Sequence, residues 1–133
     1  MANYIYDLGC SALWGGDIAY DVDNIKCVLV DSAVYTPNKI TDQFLSDIPL
    51  GARVATSSNL VGKTITGRAI DADDVVLPTV TGAVSEYVVI YQDTGVEATS
   101  QLLIFVDTAT GLPVTPDGTD ITIRWNASGI ATL

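Results

Sequence analysis

Two apolar runs, Glu86 to Asp93 (EYVVIYQD) and Gln101 to Asp107 (QLLIFVD), constrain this chain most. Near-continuous runs of this length suit β-strands covered on both faces. The segment between them, Thr94 to Ser100 (TGVEATS), has the composition of a hairpin loop. The two runs are therefore expected to pair antiparallel.

The rest of the chain follows the same pattern. Ile25 to Asp31 (IKCVLVD) is rich in β-branched residues and ends in turn-formers. Asp120 to Trp125 (DITIRW) alternates strictly, with Ile121, Ile123 and Trp125 on one face and Thr122 and Arg124 on the other, as in a half-buried strand. The turn before it, Val114 to Thr119, contains Pro116, Asp117 and Gly118, each suited to a turn. Asn126 to Gly129 makes another turn, after which Ile130 to Leu133 can close a last hairpin strand. Further strands are expected at Ala52 to Ser57, Thr64 to Ile70 and Asp74 to Leu77. Two short helices fit: Asp7 capping Leu8 to Trp14 before Gly15-Gly16, and Thr41 capping Asp42 to Asp47 before Pro49. With 133 residues and no repeat or linker, the reading is one mainly β domain over residues 1–133. It is an antiparallel β-sandwich or small β-barrel with one or two short helices.

Charge narrows the partners. Sixteen acids against six bases give a net charge of −10, and fourteen of the acids are Asp. Asp favours turns and caps over helix interiors. The acidic balance argues against binding a phosphate backbone or an anionic membrane. The N-terminal residues lack the basic and apolar regions of a signal peptide, and no stretch is long enough to span a bilayer. The expectation is a protein folded in a cytoplasm.

Catalytic chemistry finds few footholds. Histidine is absent, which removes Ser-His, Cys-His and His-metal sites. There is no P-loop, dinucleotide fingerprint or Cys-x-x-Cys. The expectation is no enzyme, no catalytic, cofactor-binding or metal residues, and no cofactor. Two Asp-rich stretches are candidate calcium sites: Asp17, Asp21 and Asp23, and Asp71, Asp73 and Asp74. Neither has EF-hand spacing, and turn-capping acids facing water are the simpler reading. Cys27 lies in an apolar run and reads as a buried thiol; a bridge to Cys10 stays open. Tyr87 and Tyr91, four apart, share a strand face. Like Tyr4, Tyr6, Trp14 and Tyr20, they read as packing residues.

Several segments together resemble a known group. They are Leu13-Trp14-Gly15-Gly16-Asp17-Ile18, Tyr20 to Asp31, Tyr35-Thr36-Pro37, Asp42 to Ile48, Tyr87 to Gly95, Ser100 to Asp107 and Ile121 to Ile130. The chain resembles small virion structural proteins of tailed bacteriophages over about Leu13 to Leu133, most of all head decoration (cement) proteins. The resemblance implies a structural role on the outer surface of the capsid, with the major capsid protein as partner. A homo-oligomer, dimer or trimer, is expected from the symmetry of capsid sites. The alternative it leaves is a tail, fibre or head-fibre component. The termini and Thr56 to Gly67 are candidate contact arms.

Overall fold

A computed structural model describes residues 3–126 and 129–132. The fold is mainly β and sandwich-like, with three antiparallel sheets and one α-helix. Its strands are β1 (Tyr4–Ile5), β2 (Ile25–Val30), β3 (Arg53–Thr56), β4 (Thr64–Thr66), β5 (Ala69–Asp71), β6 (Val75–Leu77), β7 (Tyr87–Gln92), β8 (Leu102–Val106), β9 (Ile121–Ile123) and β10 (Ala131–Thr132). The helix, α1, is Asp7–Trp14.

The largest sheet has five strands in the order β1-β8-β7-β2-β3. β7 and β8 are the two defining apolar runs, and they pair antiparallel as expected. Cys27 faces Ile90 and Leu29 faces Val88 on one side; Val28 faces Val89 on the other. Both sides are buried, which is why these strands are apolar without alternation. Between Ile90 and Tyr91 the register with β8 shifts, leaving Leu103 as an extra residue. This bulge turns Leu103 to the same side as Ile104.

Helix α1 docks on that bulge. A Cβ on Gly9 would lie 2.2 Å from the Leu102 carbonyl oxygen, so only glycine permits the approach. The Tyr6 N–H donates to Leu103 O at 2.8 Å and the Asp7 N–H to Lys39 O at 2.9 Å. Asp7 is the first helical residue rather than the cap, and no side chain caps this helix. Its carboxylate pairs with Lys39 instead.

One side of the main sheet is covered by a three-stranded sheet, β10-β5-β4, and a two-stranded one, β6-β9. Ile121, Ile123 and Trp125 are all buried, as the alternation predicts. The expected strand Thr64 to Ile70 is instead the β4–β5 hairpin. Gly67, with φ of 61°, makes its turn. The last strand pairs with β5, not with β9 as a terminal hairpin would. Ala127 and Ser128 of the expected turn, and Leu133, lie outside the described residues.

Residues 31–52 cover the other side. Tyr35, Leu45, Ile48 and Ala52 pack there with Tyr6, Val89 and Phe105. The second expected helix is only a 3-10 turn, Leu45–Asp47. Thr41 does not cap it. The Asp47 carboxylate accepts the Gln43 and Phe44 N–H groups at 2.7 and 3.0 Å.

Candidate functional site

Three of the six acids grouped as possible ligands, Asp23, Asp71 and Asp74, bond backbone N–H groups. Asp23 Oδ2 accepts the Ala19 N–H at 3.0 Å and Gln92 Nε2 at 3.2 Å. Asp71 Oδ1 accepts the Ala72 N–H at 2.9 Å, and Asp74 Oδ1 the Trp125 N–H at 3.2 Å. Among the described residues no group of three or more Asp, Glu, Cys and His side chains is placed to hold a metal ion.

Both cysteines are free thiols. Cys27 is fully buried in β2, and burial pushes its thiol up to about 11, partly offset by a hydrogen bond with Ser57. Such a thiol is protonated at neutral pH and a poor nucleophile.

The tyrosines form the largest polar cluster. Tyr35 donates to Asp42 Oδ2 at 2.6 Å, and its hydroxyl lies 2.9 Å from that of Tyr6. Burial above all, then the neighbouring Tyr6 and Asp42, raises the Tyr35 phenol far above its ordinary value. Tyr6 is raised mainly by burial as well. Tyr4 stacks on Phe105 with centroids 4.7 Å apart, and Tyr87 packs on the same ring at 4.5 Å. These side chains fasten the 31–52 segment to the sheet; sequence reading offers Tyr4, Tyr6 and Tyr87 as packing residues and assigns no role to Tyr35. Arg53 works beside them. Its guanidinium donates to Leu45 O at 2.9 Å and Ile48 O at 2.7 Å, and pairs with Glu97.

The expected contact arm, Thr56 to Gly67, divides in two. Its first part is bound in: the Ser57 N–H donates to Cys27 O at 2.8 Å, and the Leu60 N–H to Ile25 O at 2.7 Å. Its second part, β4, is exposed along its length.

What the surface offers is apolar. Trp14 is 77% exposed at the end of α1, and Val22, Ile40, Leu50 and Ile65 each expose more than half of their surface. Beside Trp14 lies a cavity of about 180 Å³. Leu13, Ile18 and Tyr20 form one wall, and Ile65 and Ile70 of the β4–β5 hairpin form the other. Asp21 and Arg68 add opposite charges to it. The Tyr20 hydroxyl donates to Asp71 O at 2.9 Å, which ties the two walls together. No single residue announces this cavity; Trp14 followed by two glycines was the nearest signal. A second cavity, of about 110 Å³, lies between the 58–61 and 73–76 segments.

No helix among the described residues is long and apolar enough to cross a membrane. No family model matches the chain, and no curated protein is similar to it in sequence.

Proposed function

We propose that this chain is a virion structural protein of a tailed bacteriophage, a decoration protein that binds the outer surface of the major capsid protein lattice and stabilises the head. It acts by adhesion and not by catalysis. The observation that carries this reading is the doubly covered five-stranded sheet, a stiff body whose large exposed apolar groups, Trp14 and Leu50 foremost, sit on its surface. Exposed aromatics of this kind anchor protein contacts. The resemblance of residues 13–133 to virion proteins supplies the setting, and the net charge of −10 suits docking on a more basic shell.

The test is to add purified protein to capsid shells that lack it and reconstruct the particles. The expected result is symmetric density over the head and a higher shell melting temperature. Density confined to the tail would replace this reading with a tail or fibre role. Release that does not respond to salt would remove the electrostatic part.

A further inference from the structure

Trp14 and the 180 Å³ cavity are a knob and a hole on one stretch of surface. Trp14 belongs to the same segment, 13–21, that builds one wall of the cavity. An apolar hole of about 150 Å³ holds a benzene-sized ring, so this one fits an aromatic side chain better than a drug-sized ligand. We propose that the occupant is Trp14 of a second copy of this chain, and that two copies exchange their tryptophans across a two-fold axis.

Three observations favour a second copy. Knob and hole are neighbours, so one rotation can satisfy both at once; a ring or filament needs them on opposite flanks. The surroundings carry both signs of charge: Asp21 on the 13–21 wall and Arg68 on the hairpin line the cavity, and Asp17 is exposed in the same 13–21 segment. Arg68 makes no hydrogen bond or ion pair among the described residues. In a two-fold arrangement Arg68 of each copy offers a counter-charge to the acids of the other, which offsets part of the repulsion between two chains of net charge −10. Finally, an exposed tryptophan is the residue type that most often dominates an interface. Two exchanged indoles and the holes they fill bury roughly 600–1,000 Å² counted on both sides, below stable interfaces and in the range of weak, transient ones. The dimer is therefore reversible.

This deepens the homo-oligomer expected of a decoration protein but does not depend on binding to a capsid. The experiment is sedimentation velocity of the purified chain over a wide concentration range, with acrylamide quenching of tryptophan emission. The expected result is a monomer–dimer equilibrium in which emission shifts to the blue and quenching falls as dimer forms. Trp14→Ala removes the knob, and Ala19→Leu fills the hole from its exposed lining. Each weakens the dimer by about 30-fold or more and leaves the circular dichroism spectrum unchanged. A chain that stays monomeric, one that forms trimers, or a dimer indifferent to both variants overturns the proposal. A monomer that loses shell binding on Trp14→Ala overturns it too, and assigns the knob to the shell protein. A Trp14-dependent dimer that ignores capsid shells leaves this proposal standing and removes the virion reading.

Discussion

The side of the five-stranded sheet that carries Cys27, Leu29, Val88 and Ile90 is roofed by five further strands, whereas the side with Val28, Val30, Val89 and Tyr91 is roofed by the irregular segment 31–52. On the strand-covered side the roof satisfies its own backbone through ladders, and aliphatic packing holds it down. On the loop-covered side the described residues form no ladder; single backbone bonds, such as Asp31 N–H to Ala52 O at 2.9 Å and Leu45 N–H to Ser100 O at 2.8 Å, tie the segment in, and side chains supplement them. Asp31 accepts the Ala33 N–H, Asn38 those of Ile40 and Thr41, and Asp42 that of Asn38. Tyr6, Tyr35 and Arg53 then pin the segment to the sheet. Backbone groups must be paired by some route: the strand-covered side uses ladders, and the loop-covered side uses isolated backbone bonds with side-chain caps at its exposed turns.

The largest consequence is alkaline. Tyr4, Tyr6, Tyr35 and Tyr91 belong to the loop-covered side, and burial raises all four phenols above 10.0, Tyr4 and Tyr91 to about 12. The strand-covered side has Tyr20 and Cys27 raised in the same way. A raised group stays protonated in the fold while the unfolded chain ionises. Its contribution is whole below the unfolded value and is lost as pH rises toward the folded one. A fully buried group of this kind costs about 1.4 kcal/mol per pH unit in that window, and the half-buried Tyr4 less. The urea midpoint should fall from about pH 9, where the unfolded thiol ionises, and more steeply above 10. Amide exchange should open residues 31–52 before β5, β6 and β9. A midpoint flat to pH 11, or a strand-covered side that opens first, breaks the comparison.

Cavities should separate the two sides next. Ile90→Ala leaves a hole between two sets of strands that cannot close in on it, and should cost about 4 kcal/mol. Leu45→Ala lies within the covering segment itself, which is free to settle onto the sheet, and should cost about 2 kcal/mol. Equal losses in urea unfolding would mean that the loop roof is as rigid as the strands.

Legibility in the sequence divides along the same line. β2, β7, β8 and β9 announce themselves through period-two or continuous apolar runs, because ladder pairing imposes that pattern. The 31–52 segment has no period to find. Its geometry depends on which carboxylate meets which N–H, and composition alone does not settle that. Gly67 hid a turn inside an apparent strand, since Thr64 to Ile70 alternates well enough to read straight through. The cavity beside Trp14 was invisible for another reason: its walls lie some fifty residues apart in sequence and meet only through the fold.

Arg53 comes next in size. Its guanidinium bonds two carbonyls of the 45–48 turn and Glu97 of the β7–β8 loop. Arg53→Ala should cost about 2 kcal/mol, in the range for hydrogen bonds made by a charged group. Arg53→Lys should recover only part of it, because a single ammonium cannot span the fork. Full recovery by lysine would reduce Arg53 to a point charge.

The smallest effect tests where the 3-10 turn at Leu45–Asp47 gets its start. Sequence alone points to Thr41, a good capping residue placed before an apolar stretch. The structure gives the work to Asp47, which reaches back to the Gln43 and Phe44 N–H groups. Thr41 is exposed, and no side-chain hydrogen bond from it holds the turn. Asp47→Ala should therefore cost about 1 kcal/mol, the usual loss for a removed cap. Thr41→Ala should stay within about 0.5 kcal/mol of the parent, as exposed substitutions do. Chemical denaturation of the two variants side by side checks this. The reverse order would mean that the 38–47 segment is capped from its start, as a helix would be, and that the loop-covered side owes less to its carboxylates than the hydrogen bonds imply.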